Sequence, residues 1–180
     1  MIETRRLLLR PIAPGDLDDL AELYADPEVT DFVRRLDRLQ THDHLRRAER
    51  SWQDRGHGMF ALCDRGSARF IGRVTLKYWE QFDETEVGWV LRRDCWGYGY
   101  ATEAGLACIS WAFARLAIPY LTAMVHPNNV RSIKVAERLR MRPLRMDVLL
   151  GEPVHVYAIT RDEWASRRGA HHGRPDTKLR

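Results

Sequence analysis

The chain has 180 residues and a mass of 21.0 kDa, with 44% apolar and 30% charged residues, which suits one domain with a substantial core and excludes a low-complexity or disordered chain. The net charge of +4 does not mark a nucleic-acid binder: five of the 29 basic residues and one of the 25 acidic residues lie in positions 167–180, so 24 of each sign remain and the body is neutral. No apolar run approaches the roughly eighteen residues of a membrane span, no signal-peptide core opens the chain, and three cysteines without Cys-x-x-Cys spacing argue against a disulfide framework, so the expected home is a reducing cytosol with no membrane partner.

Residues 4–12 read as a first strand closed by Pro11, which lacks a ladder donor. Asp16 can cap a helix whose Leu17, Leu20, Ala21, Leu23 and Tyr24 fall at helical spacing and which ends before Asp26-Pro27. Residues 29–40 are irregular and rich in arginine, and Thr41 can cap a second amphipathic helix running to Trp52 or Asp54. Two strands, 58–63 and 70–78, follow with a glycine-containing connection, and Gly72 within the second suggests a bulge or kink. A third run of β-branched and aromatic residues covers 84–91.

The stretch from Arg92 to Ala104 joins that strand to an apolar helix over 104–116 through Gly97 and Gly99. Two glycines let the backbone turn tightly and bring amide N–H groups to an anion, and the positive end of the next helix points the same way, so the turn reads as a phosphate cradle. It is not a dinucleotide fingerprint, because Thr102 stands at the third position after Gly99, and no Gly-Lys-Ser or Gly-Lys-Thr follows for a Walker loop. A further strand covers 120–125. Asn129 then opens a helix ending near Met141, a hairpin follows over 146–150 and 154–160, and Arg161 opens a short last helix. The domain is expected over 1–166. The basic residues 167–180 read as a disordered tail, with RNA contact by counterion release as the alternative.

The wording Trp96-Gly97-Tyr98-Gly99-Tyr100-Ala101 resembles the coenzyme A pyrophosphate loop of the GCN5-related N-acetyltransferases (GNAT), Gln/Arg-x-x-Gly-x-Gly/Ala, with tryptophan as the first residue. Continued through Thr102, Glu103 and Ala104 it is similar to the RimJ/RimL-like branch of ribosomal-protein N-terminal acetyltransferases. Asn129-x-x-Ser132, followed by Ile133, Val135, Ala136 and Leu139, matches a second family segment, which departs at Arg140 where a glycine usually caps the helix. Both motifs fall inside a resemblance that covers residues 4–166. It implies an α/β (α+β) fold with a mixed, mostly antiparallel central sheet of six to seven strands, flanked by helices and splayed between strands four and five.

The same resemblance implies transfer of acetyl from acetyl-CoA to a primary amine by direct attack in a ternary complex. Trp89, Val90 and Leu91 would pair with the pantetheine amides, and Trp96 to Thr102 would hold the pyrophosphate with Asn129 and Ser132 as further coenzyme contacts. Arg92 and Arg93 would neutralise phosphate. An amide near Gly88 or Trp89 would polarise the thioester carbonyl, with Gly88 permitting a bulge. Glu86 is the expected base for the amine, with a cross-strand surface carboxylate as the structural reading. Ser132 is the expected proton donor to the thiolate, with His126 as its rival. Phe32 and Val33 border the acceptor.

The acceptor is expected to be a peptide or protein N-terminus, whose α-amine, with a pKa of about 7.7–8.0 against about 10.4 for lysine, is neutral at lower cost. A small amine (polyamine, antibiotic or amino acid) stands beside it, as does a non-catalytic acyl-CoA sensor. His44, His57 and His155 form no His-x-x-x-His or Glu-x-x-His pair, so no metal is expected. The six tryptophans can serve the core or a homodimer interface equally.

Overall fold

Strand-forming runs with one buried face alternate with amphipathic helices along the chain, and the computed structural model, which describes residues 1–169 with side chains to Ser166, folds them into one sheet with helices on both faces. In chain order the elements are β1 (Ile2–Glu3), β2 (Leu7–Pro11), α1 (Leu17–Ala25), α2 (Arg38–Arg55), β3 (Met59–Asp64), β4 (Phe70–Trp79) and β5 (Glu84–Leu91). Then come α3 (Tyr100–Arg115), β6 (Tyr120–Val125), α4 (Val130–Arg138), β7 (Arg142–Leu149), β8 (Glu152–Thr160) and α5 (Arg161–Gly169). Among the described residues the sheet has eight strands in the order β1-β2-β3-β4-β5-β6-β8-β7, slightly more than the six to seven expected. All neighbours are antiparallel except β5 and β6.

Two cores hold the layers together. On one face Leu76, Val87, Leu121 and Ile159 pack against Cys108 and Ile109 of α3 and Trp164 of α5. On the other, Leu20 and Tyr24 of α1 and Leu45 of α2 pack against Met59, Phe70 and Val90. Each fully buried Leu or Ile contributes about 1.5–3 kcal/mol, so the sheet is clamped from both sides where β4 and β5 run.

Local chemistry explains where the boundaries move. The expected first strand breaks because the Thr4 hydroxyl accepts from the Leu7 amide at 2.8 Å and closes a turn. The second helix starts before Thr41 because Asp37 and Gln40 form a reciprocal capping box, at 2.8 and 3.1 Å. Arg140 does not abolish the helix cap: it takes the left-handed conformation itself (φ 60°), and the Met141 amide donates to Ala136 O at 3.0 Å, so the glycine-type ending survives at the cost of a strained residue. Pairing of β7 with β8 begins at Arg142, ahead of the expected hairpin. Helix α5 runs to Gly169, and the rest of the expected tail lies outside the described residues.

The irregularity at Gly72 is real. Leu62 pairs with Gly72 and Cys63 with Phe70, which leaves Ile71 as the extra residue. A Cβ on Gly72 would stand 2.3 Å from Val90 O, so only glycine lets β4 approach β5 this closely. No bulge forms at Gly88, where the β4–β5 register is continuous. All three cysteines are free and buried. No helix among the described residues is long and apolar enough to cross a membrane.

Candidate active site

A parallel pair of strands with long pairing would leave no room between them, yet β5 and β6 share a single register pair, Glu86 with Thr122. Beyond it they diverge toward their C-terminal ends, while β5 stays paired with β4 as far as Leu91. The backbone of β5 after Glu86 therefore presents an edge to the opening, and a buried edge requires partners. Trp96 satisfies one group by donating its indole N–H to Leu91 O at 3.0 Å.

Glu86 sits at the point of divergence. One carboxylate oxygen accepts the Trp79 indole N–H at 2.6 Å, and the other accepts the Met124 amide of β6 at 3.4 Å, standing in for a strand carbonyl where the ladder has ended. Burial pushes the Glu86 carboxyl above the ordinary carboxylate range, against the opposing pull of the indole N–H, of Lys77 and of the Met124 amide. A carboxylate of raised proton affinity at the mouth of the opening is suited to accept a proton at neutral pH.

The two sequence motifs leave the C-terminal ends of these same strands. After β5 the chain makes a short 3-10 turn (Arg93–Cys95), and Gly97 and Gly99 then take left-handed conformations (φ 84° and 80°) before α3. Gly99 caps α3 without any side-chain hydrogen bond, so no side-chain cap competes for the amides of that first turn. The turn is braced from the first strands: Arg6 donates to Tyr98 O at 2.9 Å, lies over the Tyr100 ring at 4.5 Å and pairs with Glu103 at 2.7 Å. Tyr98 itself is exposed, and Ala101 and Thr102 begin α3 half-buried. In β5, Val90 and Leu91 are buried and Trp89 is half-buried.

Arg92 and Arg93 are not free cations. Arg92 pairs with Glu22 at 3.0 Å and Asp94 at 3.4 Å, and Arg93 with Glu28 at 2.7 Å. Sequence reasoning missed another arginine. Arg131 in the first turn of α4 stacks on the Trp96 ring at 4.0 Å, next to Gly97, and has no carboxylate partner among the described residues. Its signal was its position, since a basic residue in a first helical turn works against the helix dipole unless an anion is near. The Trp96–Arg131 stack also ties the two motifs together across the opening.

In α4 the Asn129 side chain accepts the Ser132 amide at 3.1 Å, the ordinary work of a helix cap. The Ser132 hydroxyl has no hydrogen-bond partner among the described residues and is available to donate. His126 accepts the Asn128 amide on Nδ1 at 3.2 Å, which places the neutral imidazole's proton on Nε2, and its ring meets Phe32 with 5.3 Å between centroids. Phe32 thus reaches the end of β6, whereas Val33 is half-buried and packs against the α1–α2 core. Among the described residues no group of three or more His, Cys, Asp or Glu side chains is placed to hold a metal ion.

The acetyltransferase (GNAT) domain model matches residues 6–142. YkkB of Bacillus subtilis is 28% identical over 158 residues, spanning 86% of this chain and 92% of that protein. The crystal structure of an acetyltransferase from Agrobacterium tumefaciens superposes with a TM-score of 0.76 at 31% identity, over 88% of this chain and 92% of that one. RimL, a ribosomal L7/L12 α-N-protein acetyltransferase solved with coenzyme A, shares the fold with a TM-score of 0.75 at 17% identity, covering 89% of this chain and 97% of that one.

Proposed function

The chain belongs to the GNAT acetyltransferase family, and from that premise we propose that it transfers the acetyl group of acetyl-CoA to a primary amine by direct attack within a ternary complex. The observation that carries this reading is the divergence of β5 and β6 beside a double-glycine turn. That geometry offers an unpaired strand edge and a set of amides in one place, which is what an amide-containing chain ending in a pyrophosphate needs.

The amides of Gly97 to Ala101 would hold the pyrophosphate, with Arg131 supplying charge in the role first assigned to Arg92 and Arg93. The edge of Trp89, Val90 and Leu91, apart from the Leu91 carbonyl that accepts from Trp96, would pair with the pantetheine amides. A strand amide at Gly88 or Trp89 would polarise the thioester carbonyl, an electrostatic device worth about 3–4 kcal/mol where it operates. Glu86 takes the proton of the amine, directly or through water, as the nitrogen–carbon bond forms. Ser132 donates a proton to sulfur as the carbon–sulfur bond breaks. The acceptor we favour is a peptide or protein N-terminal α-amine, following the wording of the glycine turn, with a small-molecule amine as the alternative.

The test is calorimetric titration of acetyl-CoA and CoA into the wild type and a Gly99→Glu variant, which would fill the turn with bulk and negative charge. Binding to the wild type, lost in a variant with unchanged circular dichroism, is the expected result; absence of wild-type binding overturns the reading. Thiol release with a panel of amines then separates an enzyme from an acyl-CoA sensor, which would bind the coenzyme and release none.

A further inference from the structure

The sheet face beneath α1 and α2 carries polar side chains that the coenzyme side does not use. Arg73, Thr75 and Lys77 alternate along β4 opposite Val90, Gly88 and Glu86, so this row lies against the strand whose other edge opens to the splay. Arg73 donates from Nε to the Tyr24 hydroxyl and from Nη1 to the Thr75 hydroxyl, both at 2.7 Å, which leaves Nη2 without a partner among the described residues. Tyr24 carries the His44 ring edge-on, with 5.8 Å between centroids. The Lys77 ammonium sits 3.2 Å from the centre of the Trp79 ring, while both oxygens of the opposing Glu86 are taken by Trp79 and Met124.

Several arginines rest on carboxylates, as Arg6 does on Glu103, Arg92 on Glu22 and Arg145 on Glu84, while others, Arg131 among them, do not. Arg73 and Lys77, and Arg47 on α2, make no ion pair among the described residues. Their combined field is felt by their neighbours. Burial, reinforced by Arg73, Arg47 and Lys77, holds the His44 imidazole down at about 3, and its Nε2 is buried without a hydrogen-bond partner among the described residues. Although Lys77 lies at the exposed surface of the sheet, desolvation of its ammonium lowers it to about 8, with Glu86 opposing and Arg73 and Arg47 assisting.

From this juxtaposition we infer that Arg73 and Lys77, on one face of β4, receive a carboxylate, so that the acceptor is an amine with an acidic group close to the reacting nitrogen. The inference rests on the acetyl-transfer reading above and names its substrate class. A carboxylate there gains charge-assisted hydrogen bonds from donors that are otherwise unspent. A polycationic amine meets like charges, so the same residues reject it. The field also disfavours the protonated form of the incoming amine, which eases the demand on Glu86. A free amino acid and a peptide with an acidic N-terminal segment share this chemistry.

The experiment is steady-state thiol release with matched acceptors: glutamate against its diamide, a carboxy-terminally amidated peptide beginning Glu-Glu against one beginning Gln-Gln, and spermidine. The acidic member of at least one pair is expected to have a kcat/KM about 10-fold or more above its neutral partner, with spermidine poorer than both, as one desolvated ion pair provides. The pair that responds tells the free amino acid from the peptide. Arg73→Gln and the less buried Lys77→Met should each raise KM for the acidic acceptor about 10-fold with little change in kcat, and leave acetyl-CoA affinity unaltered. Equal use of acidic and neutral partners, preference for spermidine, or no turnover of any acid by protein that binds acetyl-CoA overturns the inference. Failure to bind acetyl-CoA overturns instead the reading beneath it.

Discussion

The proposed coenzyme side and the proposed acceptor side of the splay are built on opposite principles. On the first the groups at hand are backbone amides, held by glycine conformations and by braces such as Arg6, and Arg92 and Arg93, expected to neutralise phosphate, are paired with acids. On the second the groups at hand are side chains of β4, Arg73 and Lys77, without an ion pair among the described residues. A site that many relatives share for one ligand can be made of backbone, which tolerates sequence change. A site that selects among acceptors has to be made of side chains, because these can be exchanged without disturbing the strand that carries them.

The contrast can be broken hardest from the backbone side. Gly72→Ala places a methyl group 2.3 Å from Val90 O and should cost about 3 kcal/mol or more, read from the urea midpoint, because strand backbone cannot move aside as a side chain can. A variant as stable as the wild type would show that β5 is not held by this approach.

At the border between the two sides, Glu86→Gln keeps the volume but forfeits an acceptor for Trp79 or Met124. We expect kcat to fall about 10²-fold with acetyl-CoA affinity nearly unchanged. The acidic limb of the wild-type rate profile, lying above the usual carboxylate range because Glu86 is buried, should disappear in the variant. An intact limb would assign the proton transfer to water or another group.

The smallest effect belongs to the acceptor side and sharpens the comparison through pH. His44 holds its proton less tightly folded than unfolded, so the unfolded chain takes up the proton first on acidification. Stability is therefore complete above the ordinary histidine pKa of about 6.5 and falls as pH drops toward about 3, by about 1.4 kcal/mol per pH unit, or about 2 kcal/mol between pH 6.5 and about pH 5. Urea midpoints measured across that window should slope in the wild type and flatten by this amount in His44→Leu; parallel slopes would mean that the imidazole is not buried in this cationic field.

Much of the architecture was legible beforehand because its signals are local. Strand periodicity, the double-glycine turn, the Asn129 cap and the splay implied by the family all appear in the structure. What sequence reading missed was mostly a matter of exchange between neighbours. The Asp37–Gln40 box displaced the start of α2, and Arg140 accepted a conformation normally left to glycine. The predicted acceptor residues divided, with Phe32 on His126 at the end of β6 and Val33 half-buried against the α1–α2 core, because adjacent loop residues point in different directions.

The sequence by itself determined the family, the helix and strand types and the double-glycine turn, since each depends on residues within a few positions of one another. Only the tertiary structure decided which charges are spent and which remain. Glu22 and Glu28 reach Arg92 and Arg93 from far along the chain, and Tyr24 meets Arg73 across 49 residues, while Arg73, Lys77 and Arg47 make no ion pair among the described residues and Lys77 has Glu86 only opposite it in the register. Coulomb interaction acts through space and falls with distance, so charge balance at a site is a property of the fold rather than of the order of residues.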